Sequence, residues 1–147
     1  MLAREVQDAS DELAQRLQIA PGDRVIHLKR LRYLKETPLM LNIVYLPYDL
    51  CPDLMEQEFN TSLYRLLIDN CRMPVERAVD RFEAISANAL LASFLHIGRD
   101  MPVMYVERIA FTTNNRILHV GENYIRGDMC RFRTDLKSHH PSLEIKD

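Results

Sequence analysis

Apolar positions along the chain follow two rhythms. Leu13 and Leu17 recur four apart behind Asp8 and Ser10, either of which can cap a helix, and the pattern predicts a short amphipathic helix. It stops at Ala20-Pro21-Gly22-Asp23, with Pro and Gly where a type II turn wants them. Residues 24–34 then read as a strand, dense in apolar and β-branched residues around Val25-Ile26-His27-Leu28. Lys35-Glu36-Thr37 interrupts, 38–46 resumes, and the two segments are expected to pair as an antiparallel hairpin. Pro47 and Pro52 mark an irregular connection. No element is assigned around Arg4 to Gln7.

Asn60-Thr61-Ser62 is a capping cluster before Leu63, Leu66, Leu67 and Ile68, whose spacing places one apolar stripe on a helix running to Cys71 and ending at Pro74. Residues 75–85 form an expected strand. Ser86 is the expected cap of a further helix carrying Leu90, Leu91, Phe94 and Leu95, with Gly98 as its stop. Residues 102–112 and 116–126 predict two strands joined by Thr113-Asn114-Asn115, residues tolerant of positive φ. One more strand is placed at 129–136, followed by a frayed polar tail, 137–147. Strands joined by short turns, with helices between sets of strands and no βαβ alternation, predict an α+β domain on an antiparallel sheet.

Composition sharpens this by exclusion. At 147 residues the chain suits a single domain, and 47% hydrophobic with 27% charged residues is globular rather than disordered. A net charge of −2 offers no bulk positive field for a polyanion. Cys51, Cys71 and Cys130 are odd in number and widely spaced, which argues against a disulfide framework or zinc ribbon and favours a reducing compartment, the cytoplasm. No run reaches the ~18 apolar residues of a membrane span. Four glycines leave no phosphate-binding glycine loop. Five scattered histidines show no metal-ligand spacing, so neither metal nor cofactor is expected.

Two features carry candidate chemistry. Arg30 and Arg32 leave the same strand face as Ile26 and Leu28, so they need counter-charges or an anion. Either they bind phosphate or carboxylate through their planar forks, or they pair with internal acids such as Glu107 and Glu122. Ser62 and Tyr64 stand at the start of the second helix, where free N–H groups favour an anion, although a hydroxyl there is more often a simple cap. His119, between Leu118 and Val120, is a lone polar group in a pocket or a surface histidine, and alternation favours the surface.

These residues fall within a larger resemblance. Leu17 to Val25 (L-Q-I-A-P-G-D-R-V), Leu28-Lys29-Arg30-Leu31-Arg32, Tyr45-Leu46-Pro47, Thr61-Ser62-Leu63-Tyr64, Val106-Glu107-Arg108 and Arg126-Gly127-Asp128 occur in the order and spacing of the UTRA domain. The chain, over about Val6 to Leu136, resembles the effector-binding half of GntR-superfamily regulators of the HutC type. The resemblance implies a chorismate lyase-like fold. It implies a phosphate end of a pocket at Arg30, Arg32, Ser62 and Tyr64, with Arg72 the corresponding basic residue after the helix. It also implies a homodimer and an upstream winged helix-turn-helix domain through which DNA would be bound, with all 147 residues forming one effector-binding and dimerisation domain.

Departures fall at the other end of the pocket. Asn42 and His119 stand where the family commonly has Glu, and Ile125 where it often has Tyr. An amide and an imidazole can donate as well as accept, so a neutral sugar phosphate or other anionic metabolite fits better than a cationic amino sugar. A chorismate lyase-like enzyme and a dimerisation module with a vestigial pocket are the competing readings.

Overall fold

A computed structural model describes residues 1–59 and 61–135 of the chain. Six strands form one antiparallel sheet: β1 (Ala3–Asp8), β2 (Arg24–Leu34), β3 (Thr37–Pro47), β4 (Arg77–Ser86), β5 (Pro102–Phe111) and β6 (Ile117–Arg126), in the order β1-β2-β3-β6-β5-β4. Helix α1 (Asp11–Leu17) follows β1, α2 (Leu63–Cys71) lies between β3 and β4, and α3 (Ala89–Leu95) between β4 and β5. The expected α+β class and chorismate lyase-like sheet flanked by helices hold.

The sheet's alternation sorts the core. Ile26, Leu28, Val44 and Leu46 face α2 and pack with Leu63, Leu66 and Leu67. Their neighbours face the other way: Val25 joins Leu13 and Leu17 of α1, and Leu41 joins Leu91 and Leu95 of α3. One sheet face therefore carries α2 alone and the other carries α1 and α3.

The helix ends differ in detail from expectation. Ser10 caps α1 by accepting from the Leu13 N–H, and Ser62 caps α2 by accepting from the Arg65 N–H at 3.3 Å. Helix α2 ends in the left-handed residue Arg72 before Pro74 is reached, and Asn60 lies outside the described residues. Ser86 is the last residue of β4 and does not cap α3; Asn88, two residues later, accepts from the Leu91 N–H at 2.9 Å. The helix stops at left-handed His96 rather than at Gly98. The predicted turn at Ala20–Asp23 forms, with Gly22 at φ +83° and the Asp23 N–H donating to the Ala20 carbonyl.

Two strand assignments change. Residues 3–8, for which the apolar pattern predicts no element, add β1 to the edge of β2, where Val6 pairs with Ile26. Residues 129–135 form no strand, because the chain turns at Gly127, whose N–H donates to the Pro102 carbonyl; Leu136 and the tail 137–147 lie outside the described residues. The cysteine expectation is also corrected. The 3-10 segment after β3 folds against the C-terminal end of α2 and brings Cys51 to Cys71, with Cα atoms 5.3 Å apart, and the two are joined as a disulfide. Cys130 remains free.

Candidate functional site

A cavity of about 170 Å³ opens between the sheet and the first turn of α2. β2 supplies Arg30 and Arg32, β3 supplies Asn42 and Val44, α2 and its cap supply Ser62, Leu63 and Tyr64, β5 supplies Arg108, and β6 supplies His119, Gly121 and Asn123. Strand periodicity explains the assembly: Arg30 and Arg32 continue the face of Ile26 and Leu28 beyond the point where α2 covers it, so apolar core gives way to guanidinium groups.

Arg30 and Arg32 do not pair with Glu107 or Glu122. Those acids lie on the opposite sheet face, where Arg16 of α1 binds them at 2.9 and 2.8 Å. Arg30 instead donates through Nε (3.0 Å) and Nη2 to the Oδ1 of Asn42. Asn42 Nδ2 donates to Asn123 Oδ1 at 2.8 Å, and Asn123 Nδ2 to the Val106 carbonyl at 3.3 Å. Burial lowers the pKa of Arg30, and the neighbouring charge of Arg32 lowers it further.

The opposite wall is a polar chain. Arg108 grips Asp80 of β4 with Nε and Nη2 at 2.7 and 2.6 Å, and its Nη1 donates to the Tyr64 hydroxyl at 3.3 Å. The hydrogen bond to Asp80 raises the Arg108 pKa. Tyr64 Oη lies 3.1 Å from His119 Nε2, while His119 Nδ1, also buried, has no partner among the described residues. Desolvation pushes the His119 pKa down to about 4, assisted by the charges of Arg108 and Arg30 and opposed by Asp80. The imidazole is therefore neutral near pH 7.

Six of the seven residues expected at the site, Arg30, Arg32, Asn42, Ser62, Tyr64 and His119, line this one cavity. Arg72 does not: it is the exposed cap at the far end of α2. His119 is 3% exposed, against the surface placement that alternation favoured. The reason is that α2 covers the face to which His119 turns by its alternation with Val120, while a bulge shifts Leu118: β5 and β6 step from Ala110–His119 to Phe111–Ile117, leaving Leu118 as an extra residue. Leu118 thus joins the α2-side core and His119 also faces that side, while Val120 points to α1. Arg108, Asp80 and Asn123 were missed. Arg108 stands in the V-E-R motif, but only the β4–β5 register, which sets Asp80 opposite it, shows its role.

Comparison with known proteins agrees with this architecture. The UTRA domain matches residues 1–131. The chain is 30% identical over 132 residues to the mannosyl-D-glycerate transport/metabolism system repressor MngR of Escherichia coli, covering 90% of this chain and 55% of that protein. It is 25% identical over 125 residues to the transcriptional repressor NagR of Bacillus subtilis, covering 85% of this chain and 51% of that one. The chain thus spans about half the length of the curated relatives it matches. Among solved structures, the effector domain of PhnF from Mycobacterium smegmatis superposes with a TM-score of 0.87 at 22% identity, over 93% of this chain and 85% of that one. The ligand-binding domain of a putative GntR-family regulator from Bordetella bronchiseptica gives 0.84 at 22%, over 92% and 87%. With the match running over most of its length, the chain belongs to the UTRA domain family, the effector-binding domains of GntR-family transcriptional regulators.

Proposed function

We propose that this domain senses a small phosphorylated metabolite, a sugar phosphate or a related organic anion, in the cavity between β2 and the start of α2. One observation carries the reading: Arg30 and Arg32 line a cavity with the hydroxyls of Ser62 and Tyr64, and among the described residues neither arginine pairs with a carboxylate. Guanidinium forks so placed suit a phosphate, and the hydroxyls add donors. Names of relatives support a sugar-derived ligand: the repressor of mannosyl-D-glycerate transport/metabolism and the probable fructoselysine utilization repressor of Escherichia coli. Relatives that are repressors also favour regulation over catalysis.

In the intact protein the domain works as a homodimer in the cytoplasm, and ligand binding shifts the populations of dimer arrangements, altering how attached DNA-binding domains meet an operator. Calorimetric titration with phosphosugars and organic acids tests the ligand. Binding of phosphorylated compounds that disappears in Arg32→Ala is expected; absence of heat across the panel, or unaltered binding by Arg32→Ala, overturns the reading. Sedimentation tests the dimer, and a strict monomer at high concentration counts against it.

A further inference from the structure

We propose that Asn42 is a positioning residue rather than a ligand contact, an uncharged tether that holds Arg30 at full charge and so makes the cavity selective for doubly negative phosphate monoesters over singly negative isosteres. The inference rests on the anion-site reading above and deepens it.

The tether is determined by donor and acceptor chemistry. A guanidinium only donates, so the oxygen of Asn42 must face Arg30, and it receives both Nε and Nη2. That leaves Asn42 Nδ2 to donate to Asn123 Oδ1, and Asn123 Nδ2 to donate to the Val106 carbonyl. Flipping either amide would set N–H against a donor. Asn42 is 6% exposed and its oxygen already accepts twice, so its work is done within the protein. Among the described residues, the only cavity-wall arginine with a carboxylate partner is Arg108, held by Asp80. Among the described residues, Arg30 and Arg32 therefore leave two positive charges in the cavity without counter-charge. A dianion neutralises both. A monoanion pairs with only one of the two, the partly buried Arg30 or the exposed Arg32, and a second negative charge adds attraction to the other. An aspartate at position 42 would keep an acceptor towards Arg30 and cancel one charge, while giving up the donor that Asn42 offers to Asn123 Oδ1.

Methyl phosphate, a dianion at pH 8 because its second ionisation lies near pH ~6, and methyl sulfate, a monoanion of the same shape, are the probes. Binding is read from backbone amide shifts around Arg30 and Ser62. The wild-type protein is expected to prefer methyl phosphate by roughly tenfold or more, about 1.4 kcal/mol, since the second negative charge adds attraction to the second guanidinium. Asn42→Asp should remove most of that preference. Asn42→Leu, which loosens Arg30 without adding charge, should weaken both esters while keeping a preference. If Asn42→Asp does not fold, Asn123→Asp places the same charge one link away and should narrow the preference. Equal binding of the two esters by the wild-type protein, or a preference unchanged in the folded aspartate variant, overturns the dianion inference alone. Binding of neither ester overturns the anion-site reading as well.

Discussion

The Tyr64 hydroxyl and the His119 imidazole meet at 3.1 Å, joining the first turn of α2 to the bulged start of β6 across the floor of the cavity. Arg108 donates to the same hydroxyl, so one oxygen links three elements. Removing it in Tyr64→Phe leaves a buried imidazole nitrogen and a guanidinium N–H short of a partner. A loss of about 1–3 kcal/mol in chemical denaturation is expected. A variant as stable as the wild type would show that the contact contributes nothing.

The same imidazole predicts an acid-sensitive fold. His119 is held neutral by burial and faces Arg108, Arg30, Tyr64 and Asp80, with its pKa near 4 when folded against 6.5 when free. Between these values the unfolded chain binds more protons, so stability rises with pH through the window and falls as pH drops from about 6.5 towards 4. The full effect is on the order of 3 kcal/mol. Denaturation at pH 7.5 and 4.5, compared with His119→Gln, checks it: the histidine protein should lose more stability than the variant over this range.

Arg32 and Arg72 separate the cavity from its surroundings. Arg32 lines the cavity, whereas Arg72 caps the far end of α2, about 15 Å from Ser62 at 1.5 Å rise per residue. Arg32→Ala should abolish methyl phosphate binding while changing stability by less than about 0.5 kcal/mol. Arg72→Ala should leave binding within about twofold, a change below roughly 0.5 kcal/mol. Loss of binding in Arg72→Ala would require α2 to sit differently on the sheet.

Cys51 and Cys71 tie the connection after β3 to the end of the helix that carries Tyr64. Closing a chain segment with a separation of 20 residues is worth about 3 kcal/mol in the chain-entropy account. Reductant, or a Cys51→Ser/Cys71→Ser pair, should lower the melting temperature by roughly 5–10 °C for a domain of this size. An identical melt with and without reductant would contradict the bridge.

Gly127 explains one element of the R-G-D motif without reference to a ligand. A Cβ there would sit 2.6 Å from the Pro102 carbonyl oxygen, a backbone atom that the Gly127 N–H also binds. Arg126 and Asp128 pair at 2.8 Å beside it. Gly127→Ala should destabilise by roughly 1–3 kcal/mol and leave anion affinity in the folded fraction unchanged. A drop in affinity with intact stability would instead place the motif in the site.

The features legible in the chain alone are local. Period-2 apolar runs set the long strands, Ser and Asn capped the helices, and Arg30 and Arg32 could be put on one face because alternation inside β2 is unbroken up to the shift after Arg32. Such features depend on neighbours a few residues away, and resemblance to a family then grouped Ser62, Tyr64, Asn42 and His119 with them. Tertiary structure decided what depends on register across the sheet. The packing of α2 over one sheet face made His119 a buried cavity residue, the β4–β5 pairing set Asp80 against Arg108, and β6 brought Asn123 to Asn42. A one-residue shift in pairing exchanges the two faces of a strand, and no short-range pattern records where it occurs. The meeting of Cys51 with Cys71 is of the same kind, since a loop's path over the core is set by packing rather than by spacing. The arginines were legible one strand at a time; the partners that decide whether their charges stay free were not, because each is contributed by a different strand.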